Sequence, residues 1–139
     1  MQSGLHRPGY HLYGTCLTGC WCDKQGKIFR FHTALLGHAA FSIRNPNRVR
    51  ALIGAFCTAN QLRFHAADGS GYRFLADQVL TLDPINPQVA ARLLGPLGPW
   101  RRFDAARGAL MRTQLERILN NGRALSADVY EIASKSLGT

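Results

Sequence analysis

Asn45-Pro46-Asn47-Arg48-Val49-Arg50-Ala51-Leu52-Ile53-Gly54-Ala55-Phe56-Cys57 is the stretch whose reading decides the fold. Its apolar side chains at Val49, Leu52, Ile53, Phe56 and Cys57 fall at i, i+3, i+4, i+7 and i+8, the spacing of one helix face. Asn45-Pro46 is a start signal. An Asn side chain accepts a backbone N–H left without a partner in the first turn, and Pro has no N–H to leave orphaned. The stretch therefore predicts a helix whose stripe is buried, with Cys57 as a small core residue.

Working outward toward the C-terminus, the same grammar repeats. His65-Ala66-Ala67-Asp68-Gly69-Ser70-Gly71 is a turn-rich connection. Ser70 is expected to cap a second helix with Tyr72, Leu75, Ala76, Val79 and Leu82 inward. Asn86-Pro87 opens a third, burying Val89, Ala90, Leu93 and Leu94, and Gly95, Pro96, Gly98 and Pro99 stop it. Asp104 caps a fourth helix with Leu110, Met111, Leu115, Ile118 and Leu119 on its apolar side, and Asn121-Gly122 offers a left-handed stop. Ser126 caps a fifth, with Val129, Ile132, Ala133 and Leu137 turned inward. The two Asn-Pro openings lie 41 residues apart, close to the period of helical-hairpin repeats. The expectation is an all-α domain of antiparallel helical hairpins packed side by side, each needing neighbours to cover its second face.

Toward the N-terminus the pattern stops. Residues 1–32 have Gly at positions 4, 9, 14, 19 and 26, scattered His and no sustained period. They read as an irregular leader, in which only short pieces such as Gly26 to Phe31 suit an extended chain. His11, Cys16, Cys20 and Cys22 are ligand types for structural zinc, but they lack the separated pairs of ordinary zinc modules, so no metal site is expected. Met1 to Tyr13 offers His, Arg and Pro where a signal peptide needs an apolar run, and no run approaches the roughly 20 residues of a membrane span. A cytoplasmic chain with no membrane partner is the simplest expectation.

A formal charge of +9 and a pI near 10.1 raise the question of polyanions. Residues 1–32 carry a net +3 and residues 33–139 a net +6, and Arg101-Arg102 is the single doublet. Charge spread this way suits a solvated helical surface better than a nucleic-acid footprint. The competing reading is a free-standing basic helical module that binds nucleic acid or a partner protein.

Catalytic groups are scarce. A zinc peptidase of the H-E-x-x-H type needs two His one turn apart and a Glu beside them. The Glu residues are Glu116 and Glu131, neither follows a His, and no two of His6, His11, His32, His38 and His65 are four apart. Cys57 and His65 form a nucleophile pair only on paper, because a thiol on a buried stripe is usually inert. Gly69-Ser70-Gly71 lacks the Lys of a phosphate loop and reads as a plain loop-to-helix turn. No catalytic residue and no metal ligand is expected.

Three ordered strings carry a family resemblance. Phe41 to Phe56 resembles the N-P-N-[RK]-x-R-x-L-I-G-x-F segment of bacterial aminopeptidase N, Phe64 to Tyr72 its F-H-x-x-D-G-S-G-Y loop, and Asn86 to Leu93 its N-P-Q-V-A-[AS]-R-L helix start. The match covers residues 33–139, through Arg102-Phe103-Asp104 and Leu125-Ser126. Ala67 departs from it, standing where the family commonly has an acidic residue. The resemblance implies the C-terminal helical domain of a zinc-dependent aminopeptidase, a short superhelix of the armadillo/HEAT kind that walls and closes the peptide channel. The zinc would then sit in a catalytic domain outside this chain, and the chain alone would be inactive. Its implied partners are that catalytic portion of the same aminopeptidase and the peptide substrates passing through the channel. The resemblance also implies three channel residues, Arg50, Gln88 and Arg92, and the guanidinium groups of Arg50 and Arg92 suit peptide carbonyls or a terminal carboxylate. Residues 1–32 do not resemble what should precede this domain. A frameshifted or truncated reading of a longer gene is the preferred explanation, which translation of the upstream DNA in the other frames would test.

Overall fold

The computed structural model describes residues 34–138, and among these every regular element is helical. The leader, its His/Cys cluster and its boundary at Thr33 lie outside the described residues. We number the helices as follows. Helix α1 runs Pro46–Val49, widens into a π-helical segment Arg50–Gly54 and continues as Ala55–Ala59. Then come α2 Gln61–Phe64, α3 Ser70–Leu82, α4 Pro87–Leu93, α5 Ala105–Leu119 and α6 Ala127–Leu137. Two 3-10 turns, Gly95–Leu97 and Trp100–Arg102, bridge α4 to α5.

The polar residues at the helix starts account for most of these boundaries. The Asn45 side chain accepts from the N–H groups of Asn47 and Arg48, and that of Asn86 from Val89 at 3.2 Å. Asp104 accepts from Arg107 N–H at 3.2 Å, and Ser126 from Val129 N–H at 3.3 Å. Each satisfies at least one donor that the first turn would leave without a partner, and Asn45 satisfies two.

Ser70 does not fill the role expected of it. It is the first residue of α3, and the cap is Gly69 in the left-handed conformation at φ 70°. Asp68 does the work from one position earlier, its Oδ1 accepting from Ser70 N–H at 3.0 Å and Ser70 O–H at 2.8 Å. A left-handed residue without a Cβ lets the chain enter the helix from that angle. At the other end, α5 stops at Leu119 with Asn120 as its last cap, so the left-handed Gly122 at φ 74° turns the connection to α6 instead.

The inward stripes are largely those expected. Val49, Ile53, Phe56 and Cys57 of α1 are buried, as are Tyr72, Leu75, Ala76, Val79 and Leu82 of α3, Val89, Ala90 and Leu93 of α4 with Leu94 just beyond it, and Met111, Leu115 and Ile118 of α5. On α6 Val129 and Ala133 are buried, but Ile132 is exposed because it sits on the shoulder of a narrow stripe. Leu52, Leu110, Leu119 and Leu137 are half-buried rims of the same faces. The short α2 is missed by hydrophobic period. It is one turn, started by the Asn60 side chain and anchored by buried Phe64.

Helices α3 and α4 pack as one hairpin and α5 and α6 as the next, with α3 stacked on α5 and α4 on α6. That arrangement is two stacked helical hairpins sharing one core, as in an ARM-type repeat. Helices α1 and α2 extend it past α3 through an edge-to-face aromatic chain. Phe56 meets Phe74 at 5.3 Å and Phe64 at 6.3 Å, and Phe64 meets Tyr72 at 5.3 Å.

Candidate functional site

Helix α4 presents a face whose polar side chains have no partner among the described residues. Asn86 and Pro87 fix its start, Val89, Ala90 and Leu93 turn inward, and Gln88 and Arg92 are left outside one turn apart. Both are exposed and share a face, as i, i+4 positions must. Arg92 lies in the last turn, where the helix carbonyls favour a cation. Arg50 is also exposed, at the start of the π-helical widening of α1. The side chains of Arg50, Gln88 and Arg92 form no hydrogen bond or ion pair with one another or with any described residue. The structure thus leaves all three accessible but joins only Gln88 and Arg92 into one face.

The turn from Phe64 to Tyr72 is the most elaborate polar arrangement, and it is built for packing. The His65 Nδ1 and Tyr72 hydroxyl lie 2.7 Å apart, the His65 ring stacks on Phe103 at 4.4 Å, and Arg107 Nε donates to the His65 carbonyl at 2.8 Å. Arg107 is in turn paired with Asp104 at 2.8 Å. Burial first, and the Arg107 charge second, hold the His65 pKa below the ordinary imidazole value. Burial pushes the Tyr72 phenol upward, and Arg107 holds the Asp104 carboxyl down. A Cβ on Gly71 would lie 2.3 Å from the Phe64 carbonyl oxygen, so only glycine allows α3 to cross α2 this closely. The string Phe64-His65…Asp68-Gly69-Ser70-Gly71-Tyr72 is therefore a device for joining α2, α3 and α5. Sequence reasoning saw its turn chemistry but not the partners Phe103 and Arg107, which are some forty positions away and carry no local signal.

Neither of the paper nucleophiles is equipped. Cys57 is 1% exposed and burial drives its thiol pKa far up, while His65 is committed to Tyr72. No group of three His, Cys, Asp or Glu side chains among the described residues is placed to hold a metal ion, so zinc has no fitting donor set there. No described helix is long and apolar enough to cross a membrane.

Fold and surface together define a helical-repeat domain of the ARM class, with no catalytic group assembled among its described residues. The family that matches residues 22–138 is described as a domain of unknown function (DUF3458_C) with ARM repeats, and this chain belongs to it. The chain is 52% identical over 105 residues to "Aminopeptidase N" of Caulobacter vibrioides, covering 76% of this chain. It is 50% identical to that of Escherichia coli and 48% identical to that of Haemophilus influenzae, each over 103 residues and 74% of this chain. The aligned part is 12% of each relative's length, and it falls in their C-terminal region.

Proposed function

We propose that these helices form the wall and lid of the peptide channel of a zinc-dependent aminopeptidase, with the metal and the bond-breaking groups supplied by a separate catalytic portion. In this reading the chain does no chemistry of its own. Arg50, Gln88 and Arg92 face the channel, where each guanidinium offers a planar fork of donors to a peptide carbonyl or terminal carboxylate, and Gln88 adds a neutral amide. The observation that carries the reading is the bare Gln88–Arg92 face of α4. A polar pair one turn apart, exposed and without partners among the described residues, is free to meet a ligand, in a chain that is 52% identical to an aminopeptidase N over 105 residues.

The test has two arms. The purified chain is assayed with an aminoacyl-nitroanilide, with and without zinc, and is expected to give no turnover. Chelator-sensitive turnover that survives further purification would overturn the reading. The chain is then added to an aminopeptidase N lacking its own copy of these helices. Peptide hydrolysis is expected to rise, with Arg92→Ala and Gln88→Ala weakening the effect through KM.

A further inference from the structure

A cavity of about 560 Å³ opens between α3 and α5, lined by none of Arg50, Gln88 and Arg92. One wall is Asp77, Leu80 and Thr81 of α3, and the other is Arg117 with Asn120 and Asn121 at the end of α5. Asp77, Leu80 and Thr81 have i, i+3, i+4 spacing and offer one continuous strip of α3 to this space, while Arg117 faces it from α5, with Asn120 as that helix's cap and Asn121 in the connection beyond. Arg123, just past the left-handed Gly122, closes the end.

The donors in this space are unequally engaged. Arg117 is fixed by Asp77 at 2.7 Å and reaches Gln114 at 3.3 Å, so its charge is matched and its guanidinium is held in place. The guanidinium of Arg123 has no hydrogen-bond or ion-pair partner among the described residues. The Asn121 Oδ1 is occupied by Arg123 N–H at 2.6 Å, which leaves the Asn121 NH2 as a donor to the cavity. Thr81 has spent its own proton on the Asp77 carbonyl at 2.8 Å. Among the described residues the free groups here are thus one cation and carboxamide donors, beside the half-buried apolar Leu80.

We propose that this cavity binds a small amphipathic monocarboxylate, its carboxylate forked onto Arg123 and its apolar part laid against Leu80. Charge selects the class. Two guanidinium groups and the Asp77 carboxylate leave a single positive charge, and the α5 C-terminus adds the negative end of a helix dipole. A dianionic phosphate would face that carboxylate and those carbonyls with a single free cation here among the described residues. A monocarboxylate is matched, and its neighbouring carbonyl suits the carboxamide donors. A cavity of this size takes a ligand of amino-acid to dipeptide dimensions.

The full chain, labelled with nitrogen-15, is titrated with N-acetyl-leucine, N-acetyl-leucinamide and inorganic phosphate at two ionic strengths while amide shifts are followed. Saturable shifts at Leu80, Asn121 and Arg123 are expected with N-acetyl-leucine, at least ten-fold tighter than with the neutral amide or phosphate. Arg123→Ala, a change in an exposed loop, should abolish them, while Arg44→Ala should leave them intact. Equal affinity for acid and amide, tighter binding of phosphate, undiminished binding by Arg123→Ala, or no saturation at millimolar ligand would each overturn the proposal.

Discussion

At the residue scale, His65 ties acidity to stability. Its folded-state pKa is lowered by burial and by Arg107, so the unfolded chain binds a proton on this ring more readily than the folded one. The stability this residue confers is complete above the ordinary imidazole value of 6.5 and is lost as pH falls below it toward the lowered folded-state value. Asp68 and Asp104 have lowered pKa values too, through Ser70 and Arg107, so their contributions are lost only in a more acidic window, below the ordinary carboxylate value of 3.8. Urea unfolding at pH 8 and pH 5.5 should therefore show a loss of stability in the wild type that is reduced in His65→Gln, which cannot titrate. An unchanged pH slope in that variant would remove His65 from the account.

At the element scale, the end of α3 is tied to the start of α6 by one buried carboxylate and one hydroxyl. Asp83, 5% exposed at the end of α3, accepts from Ser126 N–H at 3.0 Å and from the Ser126 hydroxyl. The same hydroxyl oxygen caps α6 by accepting from Val129 N–H. Ser126→Ala removes a cap and leaves a buried carboxylate short of a donor, so a loss of about 1–3 kcal/mol is expected in urea denaturation. Ser126→Thr, which keeps the hydroxyl, should recover most of it. This junction also shows how far the sequence could be read. Ser126 as a cap follows from one residue and the run behind it, and the same holds for Asn45, Asn86 and Asp104, because a cap is a local contract between a side chain and its own first turn. Asp83 as the partner is 43 positions earlier and has no local mark. The stripes of α1, α3 and α4 were legible because each is wide and apolar, whereas the narrow stripe of α6 gave Ile132 the wrong side. Ser70 misled because its spacing suits a cap, while the left-handed Gly69 and the carboxylate of Asp68 already do that work. At the candidate site, the pairing of Gln88 with Arg92 is pure helical period, but no local rule relates Arg50 to them.

At the scale of the whole molecule, the question is what an excess of nine positive charges does. The acidic side chains are few, and most are already committed. Asp77, Asp104, Glu116 and Glu131 each hold an Arg or Lys, while Asp68 and Asp83 hold Ser70 and Ser126. Arg101 is drawn onto the Trp100 ring at 4.7 Å and donates to the Leu137 carbonyl at 2.9 Å, fixing the end of α6. The exposed cations that remain, among them Arg44, Arg50, Arg73, Arg92 and Arg123, belong to different helices and connections. A nucleic-acid footprint needs several cations meeting adjacent phosphates, and each such contact steepens the salt dependence of binding by about 0.9 in log–log slope. A footprint of about six contacts would give a slope near −5, whereas cations scattered like these should give one shallower than about −3. Filter binding of a DNA duplex and of a single-stranded RNA across a range of salt distinguishes the two. Weak retention that fades gently with salt is expected of a channel wall with a solvated basic exterior. A steep slope at physiological salt would instead establish a shared basic face and favour the free-standing module over the aminopeptidase wall.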